Sequence, residues 1–217
     1  LSNTMWVEVR RGNKLYRQEY ARGIATTDLL ELKPSDSKLN DFPIAQRLKR
    51  LNRGTTVTFF PDNSIFQTTI EFERNTVIRM IQQRAFIVSG LYFHFFDLRN
   101  EEIRETNYYF EGGIIALTRK LNENKGPLHD PIYVKKEVDE VLVEVALQYN
   151  DGIAENVESF VNVINTVNGG SHVTGFKMAL TRAINDYGKK QNAFKSEADV
   201  ITGDDSREGL TAIIAIR

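Results

Sequence analysis

Apolar and polar residues alternate from Met5 to Arg11 and again from Lys14 to Tyr20, the two-residue period of a β-strand. Gly12-Asn13 between them is a two-residue hairpin turn in which glycine takes a positive φ without strain. In that register Val9 faces Tyr16 and Val7 faces Gln18. Met5, Val7, Val9 and Arg11 share one parity, so the pattern predicts a mostly inward-facing row that ends on a charge. Between Ile24 and Arg53 the pattern weakens: Lys33-Pro34-Ser35-Asp36-Ser37 is a turn cluster, and Arg47, Lys49, Arg50 and Arg53 form a basic stretch. A long excursion with one short strand or helix is expected there. Gly54 to Phe60 is rich in β-formers and stops at Pro61-Asp62-Asn63-Ser64.

A helical period then takes over. Thr68 and Glu71 have the spacing of a capping box, and Val77, Ile81 and Ala85 repeat every four residues, which predicts a helix. Leu91 to Phe96 is apolar on both parities except for His94, the pattern of a strand buried on two sides. Tyr108-Tyr109-Phe110 leads through Gly112-Gly113 into a helix over Ile114 to Asn122, and a domain boundary is expected at the glycine pair. Beyond it Val141 to Gln148 alternates, Asn150-Asp151-Gly152 marks a turn, and Val157 to Ile164 supplies a second β-rich run. Val173, Phe176, Leu180, Ala183, Ile184 and Tyr187 line one stripe of an amphipathic helix. Asp204 or Asp205 can cap a short turn that ends at Gly209, and Leu210 to Ile216 is a final strand. Helices interleaved with strands on both sides of the boundary predict an α/β protein with two such layers.

Composition narrows the function classes. The formal net charge is −1, so a wholly electrostatic nucleic-acid binder is excluded and any contact with DNA has to come from a local basic patch. There is no cysteine, hence no disulfide framework and no cysteine-based zinc site. Glu8, Arg10, Arg11 and Lys14 interrupt the first twenty residues, which rules out a signal-peptide core there. No apolar run approaches the roughly 20 residues needed to span a bilayer, and the expected protein is soluble, cytoplasmic and without membrane partners. His94, His129 and His172 share no short spacing, so no metal site is expected from them.

Two motifs stand out late in the chain. Asn168-Gly169-Gly170-Ser171-His172-Val173-Thr174-Gly175-Phe176 is the first, and Thr202-Gly203-Asp204-Asp205-Ser206-Arg207-Glu208-Gly209-Leu210-Thr211-Ala212 is the second. Together they resemble the ATPase region of the B subunits of bacterial type IIA DNA topoisomerases, the DNA gyrase family above all. The resemblance continues over nearly the whole chain. It takes in Arg17-Gln18 with Tyr20 and Gly23, Gly54-Thr55-Thr56-Val57, Phe59-Phe60-Pro61, Phe110-Glu111-Gly112-Gly113-Ile114 and Pro127-Leu128-His129. Val143 to Asn150 and Phe160-Val161-Asn162 complete it. Each stretch is weak alone; their order and spacing carry the resemblance.

That resemblance implies that residues 1–111 are the C-terminal part of a GHKL-type ATPase domain, an α/β sandwich. Residues 112–217 are then most of a transducer domain, whose β-α-β units form a ribosomal-protein-like fold. It implies an ATP-hydrolysing DNA topoisomerase (an isomerase) that uses ATP with Mg2+, in which two B subunits self-associate on ATP binding. A DNA segment passes through the closed clamp, and pairing with the gyrase A subunit in an A2B2 heterotetramer yields negative supercoiling. The family's water-activating Glu, Mg2+-binding Asn, adenine-binding Asp and glycine-rich lid all correspond to positions before Leu1. Its Gln and Lys that reach the γ-phosphate correspond to positions after Arg217. Neither catalytic residues nor metal ligands are therefore expected within the chain, which by itself should be inactive. A sheet without its leading elements should also expose apolar surface and strand edges. The rival readings are the B subunit of a topoisomerase IV, which decatenates DNA, and a non-enzymatic dimerisation or DNA-binding module.

Three residues carry site expectations from the same resemblance. Thr55 corresponds to a threonine that hydrogen-bonds, with a water, at adenine; the alternative is a threonine satisfied within the sheet. Its parity with Val57 and Phe59 predicts an inward hydroxyl in need of a partner. Arg11 corresponds to an arginine at the mouth of the pocket that coumarin inhibitors exploit, or is a solvated charge beside a turn. Lys177 corresponds to a basic transducer residue that faces DNA; the alternative is a solvated helix face shared with Arg182 and Lys189. His172 is expected to be a structural hydrogen-bonder, Asp204-Asp205 to cap and ion-pair, and the basic stretch to be a solvated loop, with a DNA contact as the second reading.

Overall fold

The structure, a computed structural model, describes residues 1–45, 53–196 and 199–217. Arg47, Lys49 and Arg50 of the basic stretch lie outside the described residues. The chain forms two compact units, Leu1–Phe72 and Glu73–Arg217.

The first unit is an antiparallel sheet. Strands β1 (Ser2–Arg11) and β2 (Lys14–Ala21) form the expected hairpin, with Val9 opposite Tyr16 and Val7 opposite Gln18. Gly12 at φ +61° takes the turn position that would strain any other residue. β5 (Arg53–Pro61) pairs with the other side of β1, while β3 (Ile24–Ala25) and β4 (Leu30–Leu32) both pair with β2. The excursion thus contains two short strands, followed by single 3-10 turns at Pro34–Asp36 and Lys38–Asp41.

Burial in this sheet is opposite to the parity expected. Glu8, Leu15 and Arg17 are the buried residues of the hairpin, whereas Val9, Val57 and Phe59 are exposed. The reason is a charge. Glu8 accepts from Arg17 Nε (2.9 Å) and Nη2 (2.7 Å), from Ser37 Oγ (2.6 Å) and from the Lys38 backbone N–H (2.9 Å). The 3-10 turns are thereby pinned onto the Glu8 face, and Lys38 adds its ammonium 4.4 Å from the centre of the Trp6 ring. Burial pushes the Glu8 carboxyl up, but the bonds from Ser37, Lys38 and Arg17 outweigh it and leave the pKa lowered. Leu1, Met5, Phe59, Pro61, Phe66, Ile70 and Phe72 meanwhile line an apolar cavity on this unit.

The second unit opens with helix α1 (Arg74–Ile87). Its cap is Glu73, whose carboxylate accepts from the backbone N–H groups of Asn75 and Thr76, so the helix starts later than the Thr68 and Glu71 spacing predicted. Thr69 instead accepts from the Glu71 N–H in a local turn. Strands β6 (Phe93–Asp97) and β7 (Arg104–Tyr108) form a separate two-stranded ribbon. Here the expectation of a strand buried on both sides fails: Leu91, Tyr92 and His94 are exposed, because a ribbon of two strands has only one face to bury. The exposed aromatics form a ladder, with His94 stacked parallel to Phe96 and close to Tyr92.

The core of this unit is a five-stranded sheet in the order β11-β10-β12-β9-β8. Its strands are β8 (Ile132–Val138), β9 (Val141–Tyr149), β10 (Asn156–Val161), β11 (Ile164–Asn165) and β12 (Leu210–Ile216). Only β10 and β12 run parallel, as a crossover connection requires. Helix α2 (Gly113–Leu121) lies on one face, where Ile114 and Leu117 meet Ala146, Phe160, Ile213 and Ala215 with Phe86 and Ile87 of α1. Helix α3 (Ser171–Lys190) lies on the other, where Phe176 and Leu180 meet Leu147, Leu210 and Ala212. The predicted α3 stripe is covered in part: Val173, Phe176, Leu180 and Ile184 are half-buried, whereas Ala183 and Tyr187 are exposed. Where α2 ends, Asn122 is fully buried and joins Gln148 (2.9 Å), Asn150 (3.3 Å) and Thr211 (2.7 Å) in one hydrogen-bonded group.

Truncating one partner of a buried ion pair strands the other, so Glu8→Ala should destabilise the first unit by about 3–5 kcal/mol. Lys14→Ala, which breaks the exposed pair with Glu31, should leave stability nearly unchanged. Because the Glu8 pKa is lowered on folding, its contribution is complete above about pH 4.5 and is lost as acid titrates the carboxylate. Urea denaturation from pH 7 down to pH 3 checks both: the Glu8→Ala variant should have lost part of the wild-type acid slope.

Candidate functional site

Two of the three site candidates share one corner of the first sheet. Val9 of β1 is paired with Thr55 of β5, and Arg11 with Arg53. Arg11 and Thr55 are therefore near neighbours on one face, two positions apart in register. Arg11 is also opposite Lys14, so this end of the sheet gathers Arg11, Lys14 and Arg53, with the Lys14 charge matched by Glu31 at 2.7 Å. Thr55 is exposed, contrary to the inward hydroxyl predicted. The 3-10 turns held by Glu8 occupy the opposite face, which leaves Thr55 in the open row with Val57 and Phe59. A small crevice runs beside it, lined by Glu8, Arg10, Leu15, Ser37, Leu39, Arg53, Gly54, Thr55 and Thr56.

Lys177 lies far along the chain, in the second turn of α3. Its stem packs and its ammonium does not stand free: Nζ donates to Glu155 Oε1 at 2.6 Å. Glu155 is in the segment that leads into β10, and its other oxygen accepts from Arg207 Nε at 3.0 Å. Arg207 in turn donates from Nη2 to Asp204 Oδ1 at 2.6 Å. One carboxylate thus ties together three segments distant in sequence. Burial works against ionising Glu155, but the bonds from Lys177 and Arg207 prevail and its pKa is lowered.

The glycine-rich motif serves this helix. Gly170 precedes α3 at φ +154°, and a Cβ built there would stand 2.8 Å from the His172 ring. His172 Nε2 is 3.1 Å from Thr166 Oγ1, which donates to the Ser159 carbonyl at 3.1 Å. His172 is a structural hydrogen-bonder, as expected. In the acidic motif, Asp204 forms the expected ion pair with Arg207. Asp205 bonds backward, accepting from the Thr202 N–H (3.0 Å) and hydroxyl (2.6 Å). Among the described residues no cluster of three or more His, Asp or Glu side chains could hold a metal ion. The donors among the described residues do not fit a Mg2+ ion.

Two polar groups escaped sequence reasoning. Glu8 and Arg17 sit opposite each other in the very register that the turn implied, and a charge pair at matched positions was the available signal. Nothing local marks Glu155, whose partners are 22 and 52 residues away.

Comparison with known proteins agrees over both units. The DNA gyrase B family profile matches residues 113–217. The gyrase B protein of Staphylococcus epidermidis is 39% identical over all of this chain, which spans 32% of that protein. The chain thus covers about a third of the length of the curated relatives it matches. Among solved structures, the 43K ATPase domain of Thermus thermophilus gyrase B in complex with an aminocoumarin superposes with a TM-score of 0.77 at 31% identity, covering 100% of this chain and 55% of that one. The topoisomerase IV ATP-binding domain of Francisella tularensis, bound to a small-molecule inhibitor, gives 0.74 at 21% identity, with 100% and 54% covered, a likeness of fold alone.

Gly170→Ala should force both an unfavourable backbone angle and a clash with His172, costing about 1–3 kcal/mol. Gly175→Ala, where a Cβ meets open space, should be neutral or stabilising because alanine is the better helix former. Thermal denaturation of the two variants side by side makes the check.

Proposed function

Because the chain belongs to the DNA gyrase B family, we propose that it is a mid-section of the ATP-driven clamp of a type IIA DNA topoisomerase. In this reading it couples ATP binding and hydrolysis to DNA strand passage and negative supercoiling. The observation that carries the proposal is identity to gyrase B proteins over the full length of the chain, in a fold matching their ATPase domains. Residues 1–111 are assigned to the end of the GHKL ATPase domain and residues 112–217 to the transducer. The family match beginning at residue 113 supports that division, although compactness divides the chain at Phe72 because α1 packs on α2. The partners are DNA, a gyrase A subunit and a second copy of the B protein.

Thr55 is proposed to meet adenine and Arg11 to stand at the mouth of the nucleotide pocket. Their shared, exposed corner of the sheet supports both roles: a nucleotide or an inhibitor can approach that face without displacing a packed side chain. Lys177 is proposed to face DNA. A phosphoryl transfer site needs a base or water-positioning residue, a metal and a phosphate cradle, and in this reading those groups belong to other parts of the full-length B protein. ATP and Mg2+ would be held mainly by other parts of the full-length B protein. Topoisomerase IV proteins share this architecture, and the two readings part in a functional assay: reconstitution with the cognate A subunit should yield ATP-dependent negative supercoiling rather than decatenation alone.

The chain by itself should show no ATP turnover above background in a coupled assay. Turnover abolished by a point mutation within the chain would overturn the assignment. In the full-length B protein, Arg11→Leu should weaken aminocoumarin binding at least tenfold, equivalent to roughly 1.4 kcal/mol. Unchanged affinity by calorimetry would remove Arg11 from the pocket.

A further inference from the structure

The proposed DNA-facing lysine is already spoken for. Lys177 and Arg207 share the Glu155 carboxylate, and Arg207 also holds Asp204. Two cations and two carboxylates cancel, so as it stands this surface offers a phosphate no net positive charge. Arg182 nearby is likewise matched, 3.5 Å from Asp186. Yet Lys177 lines the adjoining clefts on both sides of its own stem. One is bounded by Gly169, Gly170 and Val173 at the start of α3, the other by Thr181, Arg182, Asn185 and Arg207. The two cations are not held alike. The Arg207 side chain is 15% exposed and bonded to two carboxylates, whereas Lys177 is 33% exposed and bonded to Glu155. An ammonium on a flexible stem, paired at a partly solvated site, exchanges partners readily; a guanidinium forked between two acids does not.

We infer that Glu155 is an acidic lock on Lys177: the lysine reaches a DNA phosphate by leaving Glu155, which stays in place because Arg207 continues to hold it. The inference rests on the reading that α3 faces DNA and adds a residue that regulates the contact. In the locked arrangement the lysine packs down and the surface is neutral. When a phosphate approaches, one charge-assisted contact is exchanged for another, and the condensed counterion of that phosphate is released. Glu155 therefore sets how strongly DNA must compete before Lys177 engages, which keeps the resting affinity low.

The experiment uses fluorescence anisotropy to follow a short random-sequence duplex binding the full-length B protein across a salt series. Glu155→Gln should raise affinity roughly three- to tenfold at low salt, since the lysine is then uncompensated. In the Lys177→Ala background the same change should give a clearly smaller gain, the residue of a lost negative charge beside Arg207, because most of the gain passes through the lysine. Lys177→Ala alone should weaken binding and flatten the salt dependence. Glu155→Asp keeps the charge but shortens its reach, so it should give a smaller gain; it also serves if the glutamine variant proves unstable in a melt. A gain from Glu155→Gln that is undiminished without Lys177 overturns the lock, as does no gain or a loss in both Glu155 variants. If Lys177→Ala leaves both binding and DNA-stimulated ATPase unchanged, the DNA reading of the helix has failed. If it weakens binding while the Glu155 variants gain nothing, only the lock has.

Discussion

Strand β12 has no side that meets water, and the larger unit is organised around that fact. Leu210 to Ala215 are each 1% exposed or less, so this strand can exist only if both its edges are paired and both its faces are covered. β9 and β10 supply the edges, antiparallel and parallel. Helices α2 and α3 supply the faces. A parallel neighbour requires a crossover, and α3 is that crossover. The mostly apolar run from Leu210 to Ile216 thus dictates the sheet order, the layer count and the location of the helix that carries Lys177.

The smaller unit follows a different logic. Its buried side is held by a carboxylate receiving four hydrogen bonds, and its apolar side stays open. A buried ion pair adds little net stability over an apolar replacement but penalises every arrangement that separates the partners. Glu8 and Arg17 thereby specify where the two 3-10 turns dock. The consequence for function is indirect. With the two 3-10 turns committed to the Glu8 face, Thr55, Val57 and Phe59 are exposed in the opposite row, the condition for anything to bind there.

Family and fold do not by themselves assign a role to each residue. Arg11 and Thr55 come together through strand pairing alone. Lys177 comes with a counter-ion, which turns the bare question of whether a lysine faces DNA into one of competition between a carboxylate and a phosphate. The same residue type on an unpaired helix face would carry a different electrostatic meaning.

Much of this was legible from local pattern. The hairpin register followed from the length of its turn, the three helices from period and glycine punctuation, and the final strand from an unbroken apolar run. Each depends on residues within a few positions of one another, where backbone geometry leaves few choices. The family resemblance came from the order of short motifs along the chain. What the pattern could not supply was which face of a sheet is covered, since parity is symmetric until another segment docks. Parity alone therefore turns the open side of β5 inward, and it lends Leu91 to Phe96 a second layer that a two-stranded ribbon lacks. Glu155 is the extreme case. Its partners, Lys177 and Arg207, approach it only once α3 has crossed the sheet and β12 has entered between its neighbours, so the charge state of that surface was decided by tertiary structure alone.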